Sequence, residues 1–284
     1  MRIQFSVVLI VLAGVLNLTC NKAEPIPSYI HIDKIKLVSN FSTEGSASNK
    51  IIDAWIYVDD NLVGAFEMPC TVPVLYVGEH KVKVLAGVKE NGISDTRIPY
   101  PFYYRFEQNV VLEQGKKIVI TPLVNYSQGA NFSFIEDFEG ASHIFCNTAG
   151  KTDSVMVIPP SSNNDFEGTG SGFVSISSGD YVGITCNKYT FPKDAPGVLL
   201  ELDYNCNTDL NVGFIGYDQN NNEDVSNIAV TLRPTSGWNK VYVNFTKDIT
   251  QSLNSTQFSI FFSMSKNPDL STSFFRIDNV KLIY

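Results

Sequence analysis

Histidine and tryptophan are scarce in this 284-residue chain, three of the first and two of the second, and the scarcity narrows the chemistry open to it. His31, His80 and His143 stand far apart, and no HExxH spacing brings two of them to one metal. The five cysteines, at positions 20, 70, 146, 186 and 206, include no Cys-x-x-Cys pair, which argues against a zinc site. No GxSxG, GxGxxG or Walker loop is present, and Gly168-Thr169-Gly170-Ser171-Gly172 leads into no helical pattern, so it reads as a turn. These absences lead to the expectation of a protein that is not an enzyme. Charge is low at 18% and net negative at −8, with no basic cluster, so phosphate backbones would repel the chain and nucleic acid is excluded as a partner.

The chain also has little long apolar sequence. One run, from Ile3 to Leu16 and broken only by Gln4 and Ser6, is shorter than the ~20 residues a bilayer span needs. It reads as the core of a signal peptide covering residues 1–19, whose removal takes away one cation, Arg2, and no acid. The segment Leu16-Asn17-Leu18-Thr19-Cys20-Asn21-Lys22 resembles a lipobox of Bacteroidetes lipoproteins, with Asn17 and Thr19 where the usual box has Leu and a small residue. The resemblance implies that Cys20 carries the lipid and that residues 20–28 are a tether. It places the protein at the outer membrane, held through its lipid anchor and facing the periplasm or the cell surface. Several acyl chains, at ~0.8 kcal/mol per buried CH₂, would hold it there. The other reading is an ordinary cleaved signal with an incidental cysteine. Asp153-Ser154-Val155 resembles the short site at which the same bacteria glycosylate exported proteins.

Helical periodicity is nearly missing, and in its place stand many short runs rich in Val, Ile, Phe and Tyr, alternating with polar residues and separated by Gly, Asn, Asp and Pro. The fold class is therefore all-β, with two β-sandwich domains, at residues 29–126 and 131–284, joined by a polar linker around Ser127 to Asn131. Each is expected to fold separately, with proteolysis cutting first at the linker.

In the first domain strands are predicted at 29–38, 51–58, 62–66, 72–76, 80–86, 102–112 and 117–124. Asp59-Asp60-Asn61 interrupts one alternating run as a hairpin turn would. With Met68-Pro69-Cys70-Thr71-Val72-Pro73 and Gly78-Glu79-His80-Lys81-Val82-Lys83-Val84, the stretch from about 50 to 88 resembles a PEGA-like, Ig-type small sandwich. The resemblance implies an interaction or spacer module and gives His80 a role in the fold. The loop Glu90 to Arg97 and the cluster Tyr100-Pro101-Phe102-Tyr103-Tyr104 depart from that pattern.

In the second domain strands are predicted at 132–138, 143–146, 154–158, 172–176, 181–191, 198–204, 210–217, 227–232, 238–245, 257–263 and 274–283, enough for a jelly roll. Phe134 to Gly140, Ser236-Gly237-Trp238 with the strand after it, and Phe275 to Leu282 resemble jelly rolls of the carbohydrate-binding-module type. That resemblance implies a structural calcium ion held by Asp137, Glu139 and Asp278, against the alternative that Asp278 caps a turn or pairs with a nearby cation. It also directs attention to aromatic residues. Trp55 and Trp238 read as core or half-buried positions, while Tyr181, Tyr189 and Tyr217 are candidates for an exposed ligand face with Asn187, Asp218 and Asn220 beside them. Cys186 and Cys206 lie on strands read as neighbours, and a bridge between them is left open.

Two functions remain in competition. One is a glycan-binding envelope lipoprotein whose second domain holds a polysaccharide. The other is a structural or adhesion protein that binds an envelope protein through a strand edge or the Tyr100–Tyr104 cluster. Exposed aromatics aligned on one sheet face of the second domain would favour the first.

Overall fold

The computed structural model describes residues 24–147, 165–178, 181–192 and 194–284; Cys20 and Asp153-Ser154-Val155, with the strand predicted at 154–158, lie outside them. Among the described residues the chain is all-β with two short helices, α1 (Phe41–Glu44) and α2 (Thr246–Gln251), where the sequence shows no helical periodicity.

The first half contributes β1 (Ser28–Ile32), β2 (Lys36–Leu37), β3 (Asp53–Val58), β4 (Asn61–Glu67), β5 (Cys70–Val74), β6 (Gly78–Lys89), β7 (Arg97–Pro99), β8 (Phe106–Leu112), β9 (Lys117–Ile120) and β10 (Leu123–Val124). One sheet runs β4-β3-β6-β7, with β8 also on β6; a three-stranded β5-β1-β9 sheet and the small β10-β2 pair complete the sandwich. The β3–β4 hairpin closes through Asp59 and Asp60, at φ 47° and 67°, with Val58 opposite Asn61. Two left-handed residues match the twist of the strands they join, and short polar side chains tolerate that conformation. His80 pins the turn: its Nδ1 lies 2.5 Å from Asp59 Oδ2 and its Nε2 3.1 Å from the Val77 carbonyl. The strand predicted at 117–124 is two strands, because Pro122 has no N–H for the ladder; β9 pairs in parallel with β1 before it and β10 with β2 after it.

The second half contributes β11 (Phe132–Glu136), β12 (Cys146–Asn147), β13 (Gly172–Ile176), β14 (Tyr181–Thr185), β15 (Leu199–Cys206), β16 (Leu210–Tyr217), β17 (Glu223–Leu232), β18 (Asn239–Asn244), β19 (Gln257–Ser265) and β20 (Ser273–Ile283). These form two five-stranded sheets, β11-β20-β15-β18 with β13 also on β20, and β12-β14-β19-β16-β17, packed face to face as a jelly roll. Alternate residues of both sheets fill the space between, among them Val174, Ile184, Leu202, Phe214, Phe262 and Phe275. Cys186 and Cys206 are both buried free thiols: Cys206 belongs to β15 of one sheet, whereas Cys186 continues β14 of the other, so the strands read as neighbours are not.

The two sandwiches share a core. Leu199, Tyr242 and Ile283 of the second pack into the hydrophobic cluster of the first. Around them lies a buried polar network. Glu201, fully buried, accepts hydrogen bonds from Tyr100 (2.6 Å) and Tyr126 (2.9 Å) across the boundary and lies 3.7 Å from the Lys240 ammonium. Lys281 donates to the Ser46 carbonyl at 2.6 Å and to the Tyr126 hydroxyl at 3.1 Å. Burial pushes the Lys281 ammonium down to about 8, against the pull of Glu201. The connection is itself tied in, with Ser127 N–H donating to Phe102 and Asn131 exchanging both backbone bonds with Tyr284. A linker so bonded on both sides is a poor first target for a protease. The aromatic cluster therefore has a task within the chain: Tyr100, Phe102 and Tyr103 are buried at this boundary, and of the cluster's tyrosines Tyr104 alone is exposed.

Candidate functional site

The residues singled out in the sequence do not form one face. Tyr181 pairs with Ser265 and Tyr217 with Gln257, which puts them at opposite ends of β19, roughly 27 Å apart at ~3.4 Å per residue. Tyr189 turns inward, its ring 5.2 Å from that of Phe134, and burial pushes its hydroxyl up to about 12. The ring of Tyr217 is covered by the Lys188 ammonium, 3.3 Å from its centre. Asp218 holds a turn closed by accepting from the N–H groups of Asn220 and Asn222, both at 2.8 Å, and these bonds keep its carboxyl below the ordinary range. Tyr181 and Asn187 are exposed.

The three carboxylates assigned to calcium do not share a centre either. Glu139 is occupied by a loop, accepting from Thr169 N–H (2.7 Å), Thr169 Oγ1 (2.7 Å) and Gly170 N–H (3.0 Å). Asp137 accepts from the Glu139 N–H at 3.2 Å. Asp278 is buried on β20 opposite Asp203, where it accepts from the Asn279 N–H at 2.7 Å in a bulge whose Asn279 has φ 47°. Among the described residues no three His, Cys, Asp or Glu side chains gather as a metal site.

An aromatic surface does exist, on the other sheet. In the register of β13, β20 and β15, Phe173 stands opposite Arg276 and Arg276 opposite Asn205, a row of three across adjacent strands, with Phe274 two residues along β20. Their chain neighbours Val174, Phe275, Ile277 and Cys206 face the core, so this row faces outward. Trp238, just before β18, closes the row into an open groove of about 400 Å³ with Ser236 and Gly237 at its rim. The rings are tilted rather than coplanar: Phe173 and Phe274 lie 6.0 Å apart at 42°, and Phe166 leans on Trp238 at 5.7 Å and 58°.

Arg276 is the polar centre of the groove. Its guanidinium carbon lies 4.6 Å from the centre of the Phe173 ring, and Asp165 is 4.0 Å from Nη1. Among the described residues the buried Nη1 finds no hydrogen-bond acceptor. Burial lowers the guanidinium's affinity for its proton, and Asp165 opposes that shift. The signal for this face was in the sequence. In Phe274-Phe275-Arg276-Ile277 strand alternation lets one of the two phenylalanines face the core and sends the other to the surface. Trp238, read as core or half-buried, is half-buried beside the groove.

No family model and no curated protein matches this chain. Solved structures are similar to it at low scores. A family 11 carbohydrate-binding module from Clostridium thermocellum, in complex with a β-1,3-1,4-mixed-linked tetrasaccharide, is 17% identical with a TM-score of 0.39, over 55% of this chain and 96% of that one. The CBM22-1 xylan-binding domain of Paenibacillus barcinonensis Xyn10C is 12% identical with a TM-score of 0.38, over 55% and 96%. The enzymatically active domain of tailspike protein 4 from bacteriophage CBA120 is 16% identical with a TM-score of 0.36, and the match covers 49% of this chain but 18% of that one. The functional reading rests on the residues of the groove itself.

Proposed function

We propose that this chain is a non-catalytic lipoprotein of the cell envelope, anchored in the outer membrane through Cys20, that binds polysaccharide in the groove formed by Phe173, Phe274, Trp238, Arg276 and Asn205. One observation carries the reading. Three outward-facing rings flank the Arg276 guanidinium in an open groove on the outer face of the sheet. The CH-rich face of a pyranose stacks on an aromatic ring while its hydroxyls need planar, directional donors and acceptors, which Arg276 and Asn205 present. Tilted rings suit a ligand that turns along its length better than a flat crystalline one. The conspicuous buried carboxylate pair, Asp203 and Asp278, is sealed from solvent at 1% exposure each, out of reach of a glycosidic bond.

A glycan array probed with the soluble ectodomain tests the proposal. Hits should be soluble polysaccharides whose binding falls tenfold or more in Trp238→Ala and in Phe274→Ala. Equal binding by both variants would remove the groove from the account.

A further inference from the structure

A second cavity lies where the sandwiches meet. It measures about 530 Å³ and is walled by Lys50, Ile52 and the Lys89–Ile93 turn of the first sandwich and by β17 and β18 of the second. Among the described residues that line it are four cations, Lys50, Lys89, Arg233 and Lys240, and no carboxylate. In a chain whose net charge is −8 that is an unusual concentration of one sign.

The four cations are not equivalent. Lys240 is matched by Glu201 and Asp203 beneath it, and Arg233 by Asp209 at 2.7 Å. Lys50 and Lys89 have no acidic partner among the described residues: Lys50 donates to the side-chain carbonyl of Asn239, and Lys89 to Ser94 Oγ at 3.4 Å. Desolvation first, and then the charge of Lys89, hold the Lys50 ammonium below its ordinary pKa. Two cations left to repel one another in a recess cost stability, which a bound anion would recover.

The recess is also held in shape. The turn after β6 is clamped to the second sandwich: Asn91 N–H donates to the Tyr242 carbonyl at 2.8 Å, and Asn244 N–H donates to Asn91 Oδ1 at 2.8 Å. The Asn244 amide reaches Glu90 Oε1 at 2.5 Å, and Lys50 N–H donates to the Tyr242 hydroxyl at 2.9 Å. Asn91 and Gly92 take left-handed φ of 54° and 70° to make that turn. The departure from the small-sandwich pattern at residues 90–97 thus builds one wall of the cavity, next to Lys89 at the end of β6.

We infer that this cavity is an anion-binding site, in which Lys50 and Lys89 together hold the carboxylate or sulfate group of a small polar ligand, with Asn239 and Asn91 at hand for its neutral oxygens. The site is separate from the aromatic groove and stands or falls independently of it.

Calorimetric titration of the full chain in detergent at low ionic strength, with glucuronate, with inorganic sulfate and with glucose as the uncharged control, tests the inference. Binding of glucuronate or sulfate but not glucose is expected, weakening with added salt and falling about tenfold or more in Lys50→Gln and in Lys89→Gln. The two anions distinguish a sugar-borne carboxylate from a simple sulfate. Phe274→Ala, on β20 and outside the lining of this cavity, should leave this binding unchanged, which separates failure here from failure of the groove. If neither anion binds the unmodified chain, or if both lysine variants, shown to be folded by their β-type circular dichroism, bind as the parent does, the inference is overturned.

Discussion

Asp203 and Asp278 face one another across the antiparallel strands β15 and β20, both almost wholly buried. Asp203 has partners in Ser48 (2.9 Å) and Lys240 (3.4 Å), whereas Asp278 Oδ2 has none among the described residues. Burial, reinforced by the charges of Asp203 and Glu167, pushes the Asp278 carboxyl up to about 8. Burial raises the Asp203 carboxyl as well, with the nearby Lys240 ammonium and Ser48 opposing the shift.

The consequence for stability has a definite sign. Between roughly pH 4 and 8 the unfolded chain has an ionised Asp278 and the folded chain a protonated one, so the native state binds the extra proton. Stability from this group is greatest at the acid end and falls as pH rises, by up to ~1.4 kcal/mol per unit. Asp278→Asn, which keeps the oxygen that accepts from Asn279, should melt higher than the parent at pH 8 and nearly level with it at pH 4. Melting temperatures across that range check it, and a constant difference at all pH values would refute the assignment.

The boundary between the sandwiches should unfold with them as one unit. Trp55 lies in the first and Trp238 in the second, so each reports on its own half. Urea unfolding of Trp55→Phe and Trp238→Phe proteins, each followed by the remaining tryptophan, is expected to give coincident transitions. Tyr126→Phe removes a buried bond to the Glu201 carboxylate and should lower stability by ~1–3 kcal/mol for both probes. The same shared core should keep a protease-resistant fragment intact across residues 127–131.

At the β3–β4 hairpin, the Asp59 hydrogen bond raises the His80 imidazole above its ordinary pKa and depresses that of Asp59. The His80 contribution is present below the ordinary histidine value of ~6.5 and is lost as pH climbs through the raised folded value. An NMR titration should find His80 titrating late, and Asp59→Asn should bring it back toward ~6.5. An unchanged His80 curve in that variant would show the short contact to be electrostatically idle.

How much of this was legible in the chain depends on the distance over which each feature is specified. The Asp59-Asp60 turn and the alternation of β19 are local statements, and both were readable. The break at Pro122 was equally local, and the strand pattern overrode it until the pairing of β9 and β10 with different partners displayed it. The buried network of Glu201, Lys240 and Lys281 was invisible, since a charged residue at an alternating position looks solvent-facing unless a second domain covers it. For the same reason Tyr100 and Tyr103 looked like a sticky surface. Residue type marks Tyr181, Tyr189 and Tyr217 as ligand-facing, and type does not reveal that Lys188 lies on Tyr217 or that Tyr189 turns toward Phe134. The groove was within reach of alternation at Phe274-Phe275-Arg276, but its third ring comes from a loop that only the register of three strands brings alongside.

The anchor assigned to Cys20 predicts a change of compartment. Cys20→Ser should leave an unprocessed precursor or a protein released from the membrane fraction, read by fractionation and by mass of the N-terminal peptide. A variant that still sediments wholly with membranes, with the parent's N-terminus, would remove the lipid from the account.

The sharpest test of the groove is at Arg276, because its two properties separate on substitution. The guanidinium is planar and lies over Phe173 with Asp165 4.0 Å from its Nη1, whereas an ammonium on a flexible stem keeps the charge but neither the stacking plane nor the fork of donors. Arg276→Lys is therefore expected to bind the polysaccharide found on the array nearly as weakly as Arg276→Ala, both about tenfold below the parent. If charge alone mattered, Lys would restore binding and the response would be salt-sensitive; stacking and directional bonds predict little effect of salt. Since the Arg276 side chain touches the outer face and not the core, both variants should melt within a few degrees of the parent. Calorimetric titration at low and high salt, with melting curves alongside, decides between the two. Full binding by Arg276→Ala would mean that the saccharide is held elsewhere.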